Sequence, residues 1–344
     1  MAPTATLELE TSTERGVDPA KARLTPPVPG RWRWCATDVV CFLPVAAYPM
    51  GGTETVDLPV RVGGGKDRSS ARTETFSMTF RVANESVGLA QLLLADLDYL
   101  PLRPAPPRPF PLARSSAETK AGSESPGSPD ASSGATSPDA SATDDGASLA
   151  SSLEWRWRSV PSSLRTLWSP GRDTVLTIGA LVQFERVEHL KSGSYPPYGA
   201  TMTPAFWRAI LAAALAGRQD PDDYSYAMVS EQEPERLTLW SEGRVALTTL
   251  VNTGVPGGTT PTGTWAVYLR YPEQTMRGTT VTGQPYVYPD VKDVSYFEGN
   301  FALHAFPRAR YGYPQSQGCV ELPLSIAPAV YALLHYGSLV TIRA

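Results

Sequence analysis

From Tyr224 to its end the chain is written almost wholly in strand-forming residues, and this restricts the folds open to it more than any other feature. YAMVS, RLTLWSEG, RVALTTLVNTG, GTWAVYLRY, QPYVYP, VSYFEGNFALHAF and SLVTI are rich in β-branched and aromatic side chains and are bounded by glycine or proline. One helix interrupts them, SIAPAVYALLHYG, with Ser325 as its expected cap and Gly337 as its stop. Residues 224–344 are therefore expected to form one strand-dominated domain of mixed composition. A chain of 344 residues, with domains usually about 100–200 residues long, has room for a second folded unit upstream.

That upstream part changes texture several times. Residues 1–30 are polar and contain proline without periodicity, which predicts a flexible tail. Residues 31–82 alternate like strands in VVCFL, ETVDLPVRV and ETFSMTFRV. In SVGLAQLLLADLDYL, Leu89, Leu92, Leu93 and Leu97 fall at helical spacing behind a Ser86 cap. Residues 103–152 are dominated by serine, alanine, proline and acids, too polar to order themselves, and predict a disordered insertion. Helical spacing returns at residues 161–168, 174–190 and 203–217, the last opening on Thr203 and closing on Gly217. The run IGALVQFERVEHLKSGSYPPYGATMTPAFWRAIL, through Ala180, Phe184, Leu190, Gly193, Trp207 and Leu211, resembles the peptidoglycan-binding domain of bacterial cell-wall enzymes. The resemblance implies a three-helix module over residues 83–220 with the insertion inside it. Glu185 stands where that family usually has glutamine, which leaves a plain helical spacer as the other reading.

Several function classes are excluded early. A net charge of −4 and a pI near 5.5, with lysine and arginine scattered, leave no basic stripe for nucleic acid. No apolar run reaches the roughly 18 residues of a membrane span, and the first thirty residues lack the pattern of a secretory leader. Three histidines, His189, His304 and His335, are too dispersed for a zinc site, and no cofactor is expected. Gly63 to Gly65 before Lys66 lack the spacing of a phosphate loop. The WRW repeats holding Trp32, Trp34, Trp155 and Trp157 suit packing better than stacking on sugars. Cys35 and Cys41 could pair in an oxidising compartment and leave Cys319 free; three buried, inert thiols are the other reading.

The chemistry concentrates in HAFPRARYGYPQSQGCVEL. His304 ends an apolar strand, and Cys319 sits in a turn after Gly318, with fourteen residues between them. An imidazole beside a thiol is the commonest way to make a sulfur nucleophile near neutral pH, and a glycine turn can aim N–H groups at an oxyanion. Spacing alone fits a packed histidine and a core thiol equally well. Taken with Ser316, Tyr331, Gly337, the closing LVTI strand, and Pro261, Gly263 and Trp265 upstream, however, the segment resembles the L,D-transpeptidase catalytic domain of the YkuD type over roughly residues 235–344.

The resemblance implies an α+β, β-rich catalytic domain and an acyltransferase with Cys319 as nucleophile and His304 as base. The Ala305 carbonyl would orient the imidazole, Ser316 would belong to the motif, and the N–H groups of Gly318 and Cys319 would hold the oxyanion. It implies peptidoglycan as partner, attack on a stem tetrapeptide with release of D-alanine, and a 3→3 crosslink or, with water as acceptor, a carboxypeptidase. An extracytoplasmic location follows from that substrate, and a carbapenem adduct at Cys319 is expected. Gln317 replaces the family's usual histidine, and Glu321 its usual asparagine or arginine. These two, with Arg308 and with Met276 in a loop over the donor channel, are the expected substrate contacts. A carboxylate at 321 would raise the thiol's pKa unless a cation such as Arg308 or Arg310 screens it. If Gln317 and Glu321 record lost activity, the chain would instead be a wall-binding protein.

Overall fold

Alternating side chains build the first part of the molecule and helical spacing the next, and both patterns are seen in a computed structural model that describes residues 1–11, 17–62, 72–106, 110–111, 142–190 and 202–344. In chain order the elements are β1 (Leu7–Glu10), β2 (Arg23–Thr25), β3 (Gly30–Ala36), β4 (Val39–Pro44), β5 (Thr53–Val62), β6 (Arg72–Arg81), α1 (Val87–Asp96), β7 (Leu102–Pro104), β8 (Phe110–Pro111), α2 (Ala142–Ser151), β9 (Leu153–Trp155), α3 (Ser162–Arg165), α4 (Val175–Val187) and α5 (Pro204–Ala216). Then come β10 (Ser225–Ser230), β11 (Arg236–Ser241), β12 (Arg244–Leu250), β13 (Gly263–Ala266), β14 (Leu269–Thr279), β15 (Pro285–Glu298), β16 (Phe301–Ala305), β17 (Val320–Leu322), α6 (Ala327–Leu333) and β18 (Leu339–Arg343). The fold is mixed α+β and strand-rich. The chain divides into two compact units, residues 1–89 with 106–147 and residues 90–105 with 148–344.

The first unit holds a sheet ordered β3-β4-β1-β8 and a sheet ordered β2-β5-β6. Its core gathers Leu7, Leu9, Leu24, Phe42, Tyr48, Val56, Leu58 and Phe80. The expected flexible tail is therefore corrected. LELE reads as polar by composition, yet its period of two turns Leu7 and Leu9 wholly inward, and β1 pairs with β4 from Leu7↔Phe42 to Glu10↔Val39. Cys35 and Cys41 form a disulfide between β3 and β4, so Cys319 is the remaining thiol. Trp32 packs on Phe42 at 5.1 Å, and Trp34 stays 38% exposed.

In the second unit the turn after α1 meets α4, and α4 meets α5, through aromatic edges, Tyr99 on Phe184 at 5.3 Å and Phe184 on Phe206 at 5.5 Å. Thr203 caps α5 by accepting from the Phe206 N–H, and Gly217 ends it in the left-handed region. Gln91, fully buried on α1, donates to the carbonyls of Ser169 and Arg172 and accepts from the Gly171 N–H, tying the connection before α4 to α1. The expectation of disorder over residues 103–152 is corrected at both ends. β7 pairs with β9, Leu102 opposite Trp155, and residues 142–151 are helical. The central serine-rich stretch, residues 112–141, lies outside the described residues, as do Gly63 to Gly65, Lys66 and Gly193. Trp155 and Trp157 lie under the guanidinium groups of Arg165 and Arg156 at 5.1 and 4.6 Å.

The strand-rich remainder forms two sheets. One is ordered β12-β11-β10-β18-β13, antiparallel except at β10–β18; the other is ordered β14-β15-β16-β17, with β16–β17 parallel. One core joins them, taking Ala227, Leu239 and Val340 from the first, Phe297, Leu303, Val320 and Leu322 from the second, and Ala327 and Val330 from α6. α6 is shorter than the sequence suggests. It starts after Ile326 without a side-chain cap, and Leu334 is already extended, which leaves His335 beyond the helix. Among the described residues no helix is long and apolar enough to cross a membrane.

Candidate active site

The apolar run FALHA makes β16 an inner strand, and its alternation decides where His304 points. In the parallel pairing of β16 with β17, Leu303 lies opposite Val320 and His304 opposite Glu321. Residues directly opposite share a face, and so do residues two apart. Cys319, just before β17, packs with Ala302, two residues before His304 on its own strand. Histidine, thiol and Glu321 carboxylate therefore occupy one face of one sheet. His304 is 4% exposed, and its Nδ1 lies 3.0 Å from the Ala305 carbonyl oxygen. A carbonyl only accepts, so Nδ1 carries the hydrogen and Nε2 keeps its lone pair. Burial holds the imidazole pKa below its usual value, and Phe306 closes over the ring edge-to-face at 5.8 Å.

One hydroxyl organises the turn before the cysteine. Ser316 Oγ donates to the Cys319 carbonyl at 2.5 Å and accepts from the Gly318 N–H at 3.0 Å. The expectation that Gly318 supplies an oxyanion donor is thereby corrected, because its N–H already serves the turn. Gly318 has φ +113°, and a Cβ there would stand 2.4 Å from the Phe301 ring, so only glycine fits. Gln317 turns away from the thiol, and its Oε1 accepts from the Val281 N–H at 2.8 Å. This bond ties the tip of the β14–β15 hairpin to the cysteine turn. Met276 is corrected as well. It sits within β14 opposite Tyr288, not in a loop, because residues 269–279 pair with β15 and the connecting tip comes only after them. Met276 and Cys319 pack against the same small cluster of Val291, Val294 and Ala302.

Glu321 is buried and paired. Arg308 Nε and Nη2 donate to its two oxygens at 2.8 and 2.7 Å, Nη2 also reaches the Gln315 carbonyl, and the guanidinium lies over Phe306 at 4.8 Å. Arg308, and not Arg310, is the cation the sequence called for, and it faces Glu321 inward. The pair does not make the thiol acidic. Burial pushes Cys319 up to about 11; the Ala302 N–H pulls it down, and Glu321 pushes it up again. Burial thus works against a preformed thiolate, the simplest reading of a His/Cys pair, and favours the neutral forms of both thiol and imidazole.

His189, in a left-handed conformation just after α4, and His335, with Nδ1 3.5 Å from Asp222, lie in other elements and take no part. Sequence reasoning passed over four contributors. Tyr286 is close enough to Cys319 for the thiol's charge to raise its pKa, after burial, and it stacks on Tyr288 at 4.9 Å. Asn252 exchanges backbone bonds with Glu321 at 3.1 and 2.9 Å, and Thr253 and Glu235 stand behind the turn. The signal for Asn252 and Thr253 was the NTG after a strand, which reads as an ordinary turn.

Residues 224–342 match the YkuD family, the L,D-transpeptidase catalytic domain. No curated protein matches the chain. Among solved structures, the catalytic domain of an Enterococcus faecium L,D-transpeptidase acylated by ertapenem is similar at 25% identity, covering 35% of this chain and 96% of that one, with a TM-score of 0.31. An L,D-transpeptidase from Mycobacterium smegmatis is 12% identical over 100% of this chain and 93% of that one, with a TM-score of 0.33. L,D-transpeptidase 3 from Mycobacterium tuberculosis is 11% identical over 100% and 94%, also with a TM-score of 0.33.

Proposed function

We propose that residues 224–344 are a cysteine-dependent L,D-transpeptidase that acts on peptidoglycan stem tetrapeptides and forms 3→3 crosslinks through a thioester. The observation that carries this reading is the locked imidazole. His304 gives its Nδ1 hydrogen to Ala305 and faces the sheet surface that holds the remaining thiol. Nε2 takes the Cys319 proton while Sγ attacks the carbonyl between the third and fourth stem residues. A neutral imidazole is what this step requires, and burial keeps it neutral. With Gly318 occupied, the Cys319 N–H is the oxyanion donor. His304 then returns the proton to the leaving D-alanine nitrogen as the carbon–nitrogen bond breaks. The amine of a second stem attacks the thioester, loses its proton to Nε2, and the thiol is restored. Water in place of the amine gives a carboxypeptidase.

The same thiol is the site for a carbapenem: Sγ attacks the strained ring carbonyl, the ring carbon–nitrogen bond breaks, and the nitrogen takes the proton but stays tethered to the acyl group. Peptidoglycan as substrate places the working enzyme outside the cytoplasm. The helical block within residues 83–220 is proposed as its docking module on the wall, supported only by the motif resemblance.

The test is mass spectrometry of tetrapeptide muropeptides incubated with the wild type and with Cys319→Ala. Dimers lighter by one D-alanine, made by the wild type alone, establish the transpeptidase; free tripeptide alone makes it a carboxypeptidase. No product from folded wild type, and no carbapenem mass on Cys319, sinks the catalytic reading in favour of a wall-binding protein.

A further inference from the structure

Glu235 is a fully buried carboxylate just before β11, and among the described residues it has no ion pair. Burying such a group is costly unless both oxygens are well bonded, so its placement needs a reason. Both oxygens are used on one residue. The Thr253 N–H donates to Oε2 and the Thr253 hydroxyl to Oε1, each at 2.6 Å. Thr253, itself 1% exposed, then offers its carbonyl to two donors, the N–H groups of Gln315 and Ser316, each at 2.9 Å. The Ser316 carbonyl accepts from Val255 at 3.0 Å, and the Ser316 hydroxyl holds both Gly318 and Cys319. A continuous relay of hydrogen bonds thus runs from Glu235 through Thr253 and Ser316 to the backbone of Cys319. The backbone of Glu235 reinforces it, donating to the Gly312 carbonyl at 2.8 Å and accepting from Val251 at 3.1 Å.

We propose that Glu235 is a positioning residue for Cys319: it fixes the Thr253 peptide, and that peptide sets the turn that aims the thiol and its N–H at the acyl carbon. The inference rests on Cys319 being the nucleophile. Glu235 touches neither substrate nor thiol and acts only through Thr253. A carboxylate is needed because Thr253 presents two donors to it. An amide has one uncharged oxygen: with it on the Thr253 N–H, the NH2 faces the hydroxyl, which must turn round to accept, and both charge-assisted 2.6 Å bonds are lost. The turn would then shift, and displacements on the order of 1 Å in such a site cost roughly 100-fold in rate.

Three full-length variants test this: Glu235→Gln, Thr253→Val, which loses the hydroxyl, and Thr253→Ser, which keeps it. The expected result for Glu235→Gln and Thr253→Val is a fall in kcat of about tenfold to 100-fold with KM within about twofold of wild type, while Thr253→Ser stays within about threefold. Two results overturn the proposal: wild-type kcat in a folded Glu235→Gln, or Thr253→Ser falling as far as Thr253→Val. If Glu235→Gln fails to fold, the two Thr253 variants decide alone. The rate of Cys319 alkylation by iodoacetamide separates this idea from the enzymatic reading. A wild type without turnover defeats the proposed function, yet a loosened turn must still expose the thiol and speed alkylation several-fold in Glu235→Gln and Thr253→Val but not in Thr253→Ser. Equal alkylation in all four proteins defeats the positioning role.

Discussion

The resting charge of Cys319 can be tested by titrating its reactivity with pH. Burial is the largest influence on the thiol and raises it to about 11 from an ordinary 9.0; the Ala302 N–H lowers it and Glu321 raises it. At pH 7 the thiolate is then about one part in 10⁴, against about one in 100 for an ordinary thiol, and alkylation needs the thiolate. Cys319 should therefore react with iodoacetamide about 100-fold more slowly at pH 7 than a thiol with the ordinary pKa. Its rate should climb about tenfold per pH unit through pH 10 without a plateau. Glu321→Gln removes a charge that disfavours the thiolate, so the whole profile should move toward lower pH. The measurement is the pseudo-first-order alkylation rate from pH 6 to 11, followed by mass spectrometry, with Cys35 and Cys41 kept in their disulfide. A rate that levels off below pH 8.5 would refute the reasoning, because it would mean that thiolate and imidazolium exist as a pair before substrate binds.

Other outcomes follow from the same packing. Arg308→Met leaves a Glu321 side chain that is 5% exposed without its cation, and should cost about 3–5 kcal/mol in urea unfolding; Arg308→Met with Glu321→Met should recover most of that. Gly318→Ala meets both φ +113° and the Phe301 ring 2.4 Å away, and should lose about 1–3 kcal/mol together with carbapenem acylation, read by midpoint and by mass. In the first unit Glu54 is fully buried, neither of its oxygens has a hydrogen-bond partner among the described residues, and burial raises its pKa. Its contribution to stability is present in full below the unfolded carboxylate pKa and is lost as pH rises through the raised folded value, so Glu54→Met should flatten the fall in stability from about pH 4 upward. Parallel slopes for Glu54→Met and the wild type would contradict that sign.

What the sequence disclosed, and what it hid, divide along physical lines. Period-two alternation and caps are local, so the strands after Tyr224, the Ser86 cap on α1, which accepts from the Leu89 N–H at 3.1 Å, and the Gly217 stop on α5 could all be read from neighbouring residues. Composition misled at the N-terminus, where LELE carries as much charge as a tail but alternates like a strand, and pairing with β4 decides the matter. In the site, His304 and Cys319 could be named as candidates because chemistry restricts which residues can act, and the sheet register brings them to one face. Their protonation could not be read, because it depends on burial by residues distant in the sequence. Glu235 lies 84 positions before Cys319, and Thr253 lies 63 positions before Ser316. Nothing local to RLTLW or NTG says that one acid will take both donors of a threonine and hold the cysteine turn through it. The pairing of Arg308 with Glu321 was foreseeable in kind, since a buried carboxylate needs a partner, but not in direction. The arginine folds inward onto its own sheet, so the two residues that looked most like contacts for substrate charge satisfy each other instead. For the proposed function, this leaves the β14–β15 hairpin, with Met276, Tyr286 and Tyr288, as the surface beside Cys319 that a substrate would meet.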